Sequence, residues 1–333
     1  MLRKPQKIYY EPAALDYELG RILRTKYTDV PWEPIASHNS IPSLQQNPNS
    51  EFMKMKQAIV VGVRKTHVFV PNHKTSDFLV PYTSSGCSAA CLYCYLVCNY
   101  NKCSYLRLFV NREHMLLKII RTAEKSEKNL VFEIGSNSDL VLENTLTGNL
   151  EWTINHFAHS RKGILTFPTK FQQIDSILDL PHRSRVIVRM SVNAEEVIKK
   201  IEIGTSPLQG RINALNKLTD AGYRTGLLIA PVVMLPGWQQ MYLRLLEQLH
   251  EGLSARTKEG LPIEIIFMTY SYVHRMINRD AFPSAPELYD PELMTVRGRG
   301  RYCYRQNQRE EGAQFLREYV GKYLPEAEIM YIV

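Results

Sequence analysis

The stretch Ser84-Ser85-Gly86-Cys87-Ser88-Ala89-Ala90-Cys91-Leu92-Tyr93-Cys94-Tyr95 carries three cysteines at the spacing C-x3-C-x2-C. Three thiolates on one short loop can hold three irons of a [4Fe–4S] cube. The fourth corner is then open to a small molecule, the arrangement a catalytic metal needs. Zinc is a competing reading, with Cys98 or Cys103 as fourth ligand, and a closed electron-transfer cluster capped by Cys98 is another. Five of the six cysteines lie between positions 87 and 103, and Cys303 stands apart. Six thiols in 333 residues are too sparse for a disulfide scaffold. A crowded, reduced cluster points to metal.

Outward from this loop, β-type and α-type segments alternate. Strands are expected at 77–82, 130–135, 163–168, 186–192, 224–232 and 263–269, and helices at 112–126, 147–159, 171–179, 194–201, 209–221 and 238–253. Alternation of this kind signals parallel βα units. Six units are too few to close an eight-stranded barrel, so the expected fold is α/β, a partial (βα)6 barrel of the TIM type. Chemistry gathers at the C-terminal ends of strands in such barrels, and the cysteine loop follows the first predicted strand. Residues 1–76 read as an N-terminal extension, with helical spacing from Pro12 to Tyr27, a polar, Pro-rich loop at 33–50 and a buried strand at 58–63. Residues 77–270 form the barrel. Residues 271–333 hold a basic β-hairpin at 291–306, a helix at 307–322 and a terminal strand at 328–332.

Composition narrows the function classes. Hydrophobic residues make up 44% and charged residues 22%, a balance that excludes a disordered chain. The longest apolar run, Gly226 to Trp238, is broken by Pro231 and Pro236 and falls short of the about 20 residues of a spanning helix. No apolar run follows the basic N-terminus, so no secretory signal is read there and a cytoplasmic location is expected. The net charge of +8 suits a polyanionic partner. Arg297, Arg299, Arg301 and Arg305 share the predicted hairpin with Tyr302 and Tyr304. Guanidinium groups there can pair with phosphates and aromatic rings can stack on displaced bases.

The cysteine spacing, with an aromatic residue before the last cysteine, resembles the signature of the radical S-adenosylmethionine (AdoMet) superfamily. Within it the chain resembles the spore photoproduct lyase family over nearly its whole length. The likeness is carried by Tyr9-Tyr10-Glu11-Pro12, Ala14-Leu15, Ser37-His38-Asn39, Val60-Val61-Gly62-Val63-Arg64, Gly86-Cys87, Cys91, Tyr93-Cys94-Tyr95-Leu96, Phe132-Glu133, Ser138-Asp139 and Thr169-Lys170. It continues through Ser191, Asn193, Gly204-Thr205-Ser206, Gly210-Arg211, Ala230-Pro231, Gly237-Trp238, Tyr302 and Tyr304-Arg305. The resemblance implies a radical lyase that splits the thymine dimer 5-thyminyl-5,6-dihydrothymine in DNA, using a [4Fe–4S] cluster and AdoMet. A 5′-deoxyadenosyl radical abstracts the hydrogen, and a flavodoxin or ferredoxin supplies electrons. Cys87, Cys91 and Cys94 would ligate the cluster. Tyr93, Ser138, Lys170, Ser191, Asn193 and Ala230 would surround AdoMet, and Tyr93 and Tyr95 would sit in the hydrogen-transfer region. Lys170 and the hairpin residues Arg297, Arg299, Arg301 and Tyr302 would meet the DNA.

Two departures stand out. The family places a hydrogen-donating cysteine where this chain has Ser136, in Glu133-Ile134-Gly135-Ser136-Asn137-Ser138-Asp139. A hydroxyl donates a hydrogen bond but, with its stronger O–H bond, not the hydrogen atom that a thiol gives. Cys98, one helical turn beyond Cys94, and Cys303, in the hairpin, are the alternative donors. The hairpin also reads Val296-Arg297 before Gly298-Arg299-Gly300, where the family has an Arg-Tyr pair, and Phe267 to Tyr272 differ from the polar family stretch. These changes fit a paralogue acting on another lesion or modified nucleotide. A lesion-binding protein with weakened catalysis is the third reading.

Overall fold

The computed structural model describes residues 4–99 and 105–333, and the side chains of Cys98 and Asn99 fall outside the described set, as does Cys103. The chain divides into two compact units. The first comprises residues 1–88, 96–169 and 175–187, and the second residues 89–95, 170–174 and 188–333. The chain crosses between them inside the cysteine loop, after Ser88 and again after Tyr95.

The first unit opens on the strand Lys7–Tyr10, whose Ile8 and Tyr9 are buried. It lies parallel to Trp32–Pro34 on one side and Ala58–Gly62 on the other. Ala58–Gly62, buried throughout, is in turn parallel to Leu106–Phe109, with Val61 opposite Leu108. The short strand Ser84–Ser85 completes this sheet, antiparallel to Leu106–Phe109. Leu19 and Leu23 of the helix Glu18–Lys26 pack with Ile8, Ile59, Val61, Leu106 and Leu108 in one apolar cluster. The helical spacing read from Pro12 to Tyr27 resolves into a 3-10 turn, Pro12–Asp16, followed by that helix.

Three strands of the same unit bear out the parallel βα reading. Phe78 lies opposite Phe132, and Phe132 opposite Leu165, in the parallel strands Phe78–Leu79, Val131–Glu133 and Ile164–Thr169. The strand expected at 77–82 is shorter than predicted. Its continuation turns away, and Ser84–Ser85 joins the other sheet, so the residues directly before Gly86-Cys87 belong to that second edge.

The second unit has a parallel run of its own, Arg224–Val232, Pro262–Phe267 and Glu328–Ile332. Leu227, Ile229, Ile263 and Ile265 are all fully enclosed, as expected for strands buried on both faces. The helices Glu195–Lys200, Leu208–Asp220, Trp238–Gly252 and Gln306–Tyr323 match their sequence positions closely.

Two expectations need correction. No α-helix spans 171–179, which holds only the 3-10 turn Asp175–Ile177. There the backbone is committed elsewhere: Gln172 N donates to Ser206 Oγ and Ser206 N to Lys170 O. The segment 263–269 also breaks after Phe267. Thr269–Ser271 instead forms a third strand beside the predicted hairpin, whose strands are Met294–Val296 and Arg301–Tyr304. Among the described residues no helix is long and apolar enough to cross a membrane.

Candidate active site

In the first unit, Gly86 takes a positive φ of +79°, favourable only to glycine, and turns the chain into the cysteine loop. Gly86 N donates to Asn137 O at 2.8 Å, and Gly86 pairs with Ser138 in an isolated parallel bridge. This joins the loop entrance to the turn that carries Ser136 and Ser138. Lys56 Nζ donates to Cys87 O at 2.6 Å and fixes the loop from the other side.

Ser138 heads a chain of polar contacts. Its Oγ lies 2.5 Å from Ser84 Oγ, and Ser84 Oγ donates to Glu143 Oε2 at 2.7 Å. Glu143 also accepts from Thr83 Oγ1 and Asn149 Nδ2. Burial pushes its carboxyl up, and the bonds from Ser84, Asn149 and Thr83 pull it only partly back. Ser136 is half-buried in the turn before Ser138. Gly135 beside it stands where a Cβ would come within 2.8 Å of Phe167 Cβ, so the chain packs too closely there for alanine.

In the second unit, Ala90–Cys91 pairs antiparallel with Glu202–Ile203, placing Cys91 opposite Glu202. Cys94 N donates to Cys91 O at 3.0 Å, Leu92 N to Ile201 O at 3.0 Å, and Asn278 Nδ2 to Leu92 O at 2.8 Å. His274 Nε2 lies 2.8 Å from Cys94 O. Burial lowers the pKa of His274, so its neutral form is favoured and can donate through Nε2 to that carbonyl. The loop backbone is therefore held at several points.

Glu202 is the centre of this half. Its Oε1 accepts from Lys170 Nζ at 2.9 Å, from Asn193 Nδ2 at 3.3 Å and from the Tyr93 hydroxyl. Its Oε2 accepts from Arg211 at 2.7 Å. Burial opposes its charge, but Lys170 and Arg211 outweigh that and hold the carboxyl at about 2. Burial, with the Glu202 and Cys91 charges, pushes the Tyr93 hydroxyl well above the ordinary tyrosine range.

Lys170 Nζ also donates to Ser191 Oγ at 2.8 Å and Ala230 O at 2.7 Å. Asn193 Nδ2 donates to Pro231 O at 2.8 Å, and its Oδ1 accepts from Tyr242 at 2.9 Å. Thus Tyr93, Lys170 and Asn193, widely separated in sequence, meet at one carboxylate that the sequence reading did not single out, and Ser191 and Ala230 join it through Lys170. The only sequence signal for it is an acidic residue two positions before Gly204-Thr205-Ser206.

Tyr95 is half exposed. In the hairpin, Thr295 lies opposite Cys303 and Val296 opposite Tyr302, and the tip Gly298-Arg299-Gly300 has positive φ throughout. Arg297, Arg299 and Arg301 are exposed, and Tyr302 packs against Tyr289 with ring centroids 4.4 Å apart. One hairpin residue does not face outward as expected: Tyr304 is buried, with its hydroxyl accepting from Met234 N. Arg305 stays exposed while donating to the carbonyls of Glu292 and Pro291.

Cys87, Cys91, Cys94 and Cys303 are thiols outside any disulfide, and each is half-buried. The loop cysteines fit an iron–sulfur cluster by donor chemistry: soft thiolate ligands on a backbone already pinned by hydrogen bonds. Among the described residues no group of three or more His, Cys, Asp or Glu is drawn together to hold a metal ion without it. The side chain of Cys98 lies outside the described residues.

Comparison with known proteins agrees along the full length. The family model for spore photoproduct lyase matches residues 3–333. The chain is 32% identical over 335 residues to the spore photoproduct lyase of Bacillus subtilis (strain 168), covering 98% of each. To that of Geobacillus sp. (strain Y412MC61) it is 29% identical, again covering 98% of each. A solved cysteine-to-alanine, serine-to-cysteine variant of spore photoproduct lyase, with bound AdoMet and dinucleoside spore photoproduct, matches at TM-score 0.91 and 28% identity over 99% of both chains. Agreement of that extent gives the fold as mixed α/β with a partial, TIM-type barrel. With every cysteine of the signature in place and the match running from end to end, the chain belongs to the spore photoproduct lyase family.

Proposed function

We propose that this chain is a radical AdoMet lyase that cleaves the thymine dimer of spore photoproduct in DNA. The observation that carries the reading is the full-length match to a solved lyase holding both AdoMet and the dinucleoside lesion. When bound, the cluster and AdoMet supply the electron and the 5′-deoxyadenosyl radical that abstracts hydrogen from the lesion.

The chain's own residues do the rest. Cys87, Cys91 and Cys94 hold the cluster. Ser138, Ser191, Asn193, Ala230 and Tyr93 form the AdoMet surroundings, with Lys170 among them. Tyr95, half exposed, stands in the hydrogen-transfer region. Arg297, Arg299 and Arg301, exposed on a tight turn, pair with phosphates beside Tyr302, and extrusion of a damaged base costs a few kcal/mol. The electron donor is a flavodoxin or ferredoxin, and the enzyme works in the cytoplasm on damaged DNA.

Ser136 favours a second reading, in which the same scaffold quenches the product radical differently or acts on another lesion. A hydroxyl cannot return the hydrogen atom, so Cys98 or Cys303 takes that part or the substrate differs. The test is anaerobic reconstitution, reduction, addition of AdoMet and challenge with dinucleotide spore photoproduct. Restored thymines support the lyase reading. 5′-Deoxyadenosine without thymine supports a different lesion. Lesion binding without AdoMet cleavage means a binding protein and overturns both.

A further inference from the structure

The Glu202 carboxylate divides its two oxygens between different tasks. Oε2 is anchored by Arg211, which is itself fully buried and also donates to Ser206 O at 2.8 Å, Ser191 O at 2.9 Å and Thr205 Oγ1 at 2.7 Å. Oε1 collects three donors: the Tyr93 hydroxyl, one residue before Cys94, Lys170 Nζ at the end of the strand Ile164–Thr169, and Asn193 Nδ2 just past the strand Val186–Val192. Its backbone lies opposite Cys91.

We propose that Glu202 is a positioning residue for AdoMet: braced by Arg211, it sets Tyr93, Lys170 and Asn193 relative to the cysteine loop. This rests on the radical AdoMet reading above. The ammonium of Lys170 has three N–H bonds, and Ser191 Oγ, Glu202 Oε1 and Ala230 O stand at distances that use all three. Lys170 thus acts on the site through Glu202. Burial alone asks that the carboxylate's lone pairs be filled; what marks Glu202 is that its donors Tyr93, Lys170 and Asn193 are the residues proposed to surround AdoMet. One oxygen shared by three donors from three separate elements is a device that couples their positions, and charge-assisted bonds of this kind are the strong ones.

Glu202→Gln tests this directly. An amide has one oxygen for the four donors that the two carboxylate oxygens accept, so either the Arg211 brace or the three-donor side is lost. The reconstituted wild type and variant are compared by iron content, thermal midpoint, equilibrium dialysis of AdoMet, and the change AdoMet induces in the electron paramagnetic resonance signal of the reduced cluster. The expected result is unchanged iron content, AdoMet affinity weaker by about tenfold or more, and a diminished AdoMet-induced spectral change. KM for AdoMet rises while KM for the dinucleotide lesion stays within about twofold. Glu202→Asp, which keeps the charge but shortens the reach, gives an intermediate affinity and decides the matter if the glutamine variant loses its iron. AdoMet affinity and spectra equal to wild type in the folded variant overturn the assignment of Glu202 alone. Failure of the wild type itself to bind AdoMet overturns the reading beneath it.

Discussion

Ser84 Oγ sits 2.5 Å from Ser138 Oγ while donating to the buried Glu143 carboxylate at 2.7 Å. Ser138, proposed above to lie beside AdoMet, is thus tied through one hydroxyl to an acid that is almost wholly buried. The consequence is a pH dependence with a definite sign. Burial holds the Glu143 pKa above its ordinary 4.5, so the folded state keeps the proton that the unfolded state releases. Its contribution is fully present below the unfolded value and is lost as pH rises through the folded one. Wild-type stability, measured as the urea midpoint, is therefore expected to fall relative to Glu143→Gln as pH rises from about 4.5. A difference that does not change with pH would contradict it.

Arg189 and Glu264 form a buried pair, with Arg189 NH1 at 3.0 and 3.1 Å from the two carboxylate oxygens. Tyr331 also donates to Glu264. Arg189→Met leaves a buried carboxylate without its counter-charge and is expected to cost about 3–5 kcal/mol by denaturant unfolding. Arg189→Met/Glu264→Leu recovers a large part of that loss, because the uncompensated charge is gone. A double variant as unstable as the single one would mean that packing, not charge, sets the cost.

Position 136 is testable by restoring the thiol. Ser136→Cys is expected to raise the yield of repaired thymine per 5′-deoxyadenosine formed and to suppress side products. Product ratios unchanged by the swap, measured by chromatography of the digested dinucleotide, would remove position 136 from the hydrogen-return step.

Arg297, Arg299 and Arg301 are exposed at the hairpin turn. Replacing all three with alanine is expected to weaken duplex binding and to flatten the plot of log affinity against log salt by roughly three units, about 0.9 per phosphate contact. An unchanged slope would show that the hairpin meets no phosphates.

Much of the fold was legible because its signals are local. Leu227 to Val232 and Trp238 to Gly252 are a long apolar run and a strong helical period, and both elements fall where expected. The helix Leu140–Thr147 escaped the reading, since nearly all its residues are buried and no polar face marks its period. Its termini do carry signals: Asp139 caps it through Leu142 N, and Gly148 closes it with φ +66°. The segment 171–179 was misread because its apolar spacing mimics a helix while its backbone bonds go to Ser206.

At the site, the cysteines were visible from spacing alone. Ser138, Ser191, Asn193 and Lys170 came through family likeness. Glu202 did not, because nothing local marks a lone glutamate whose partners Tyr93, Lys170 and Asn193 lie on other elements. Tyr304 was misassigned to the outer surface since composition cannot tell which side of a hairpin strand is covered.

The proposed reaction depends on the three thiolates of Cys87, Cys91 and Cys94 leaving one iron corner for AdoMet. Its most direct test measures 5′-deoxyadenosine from the anaerobically reconstituted, reduced wild type and from Cys91→Ala, with circular dichroism as the control for folding. The prediction is steady formation by the wild type and none above background by the folded variant. Equal formation by both would contradict the cluster assignment.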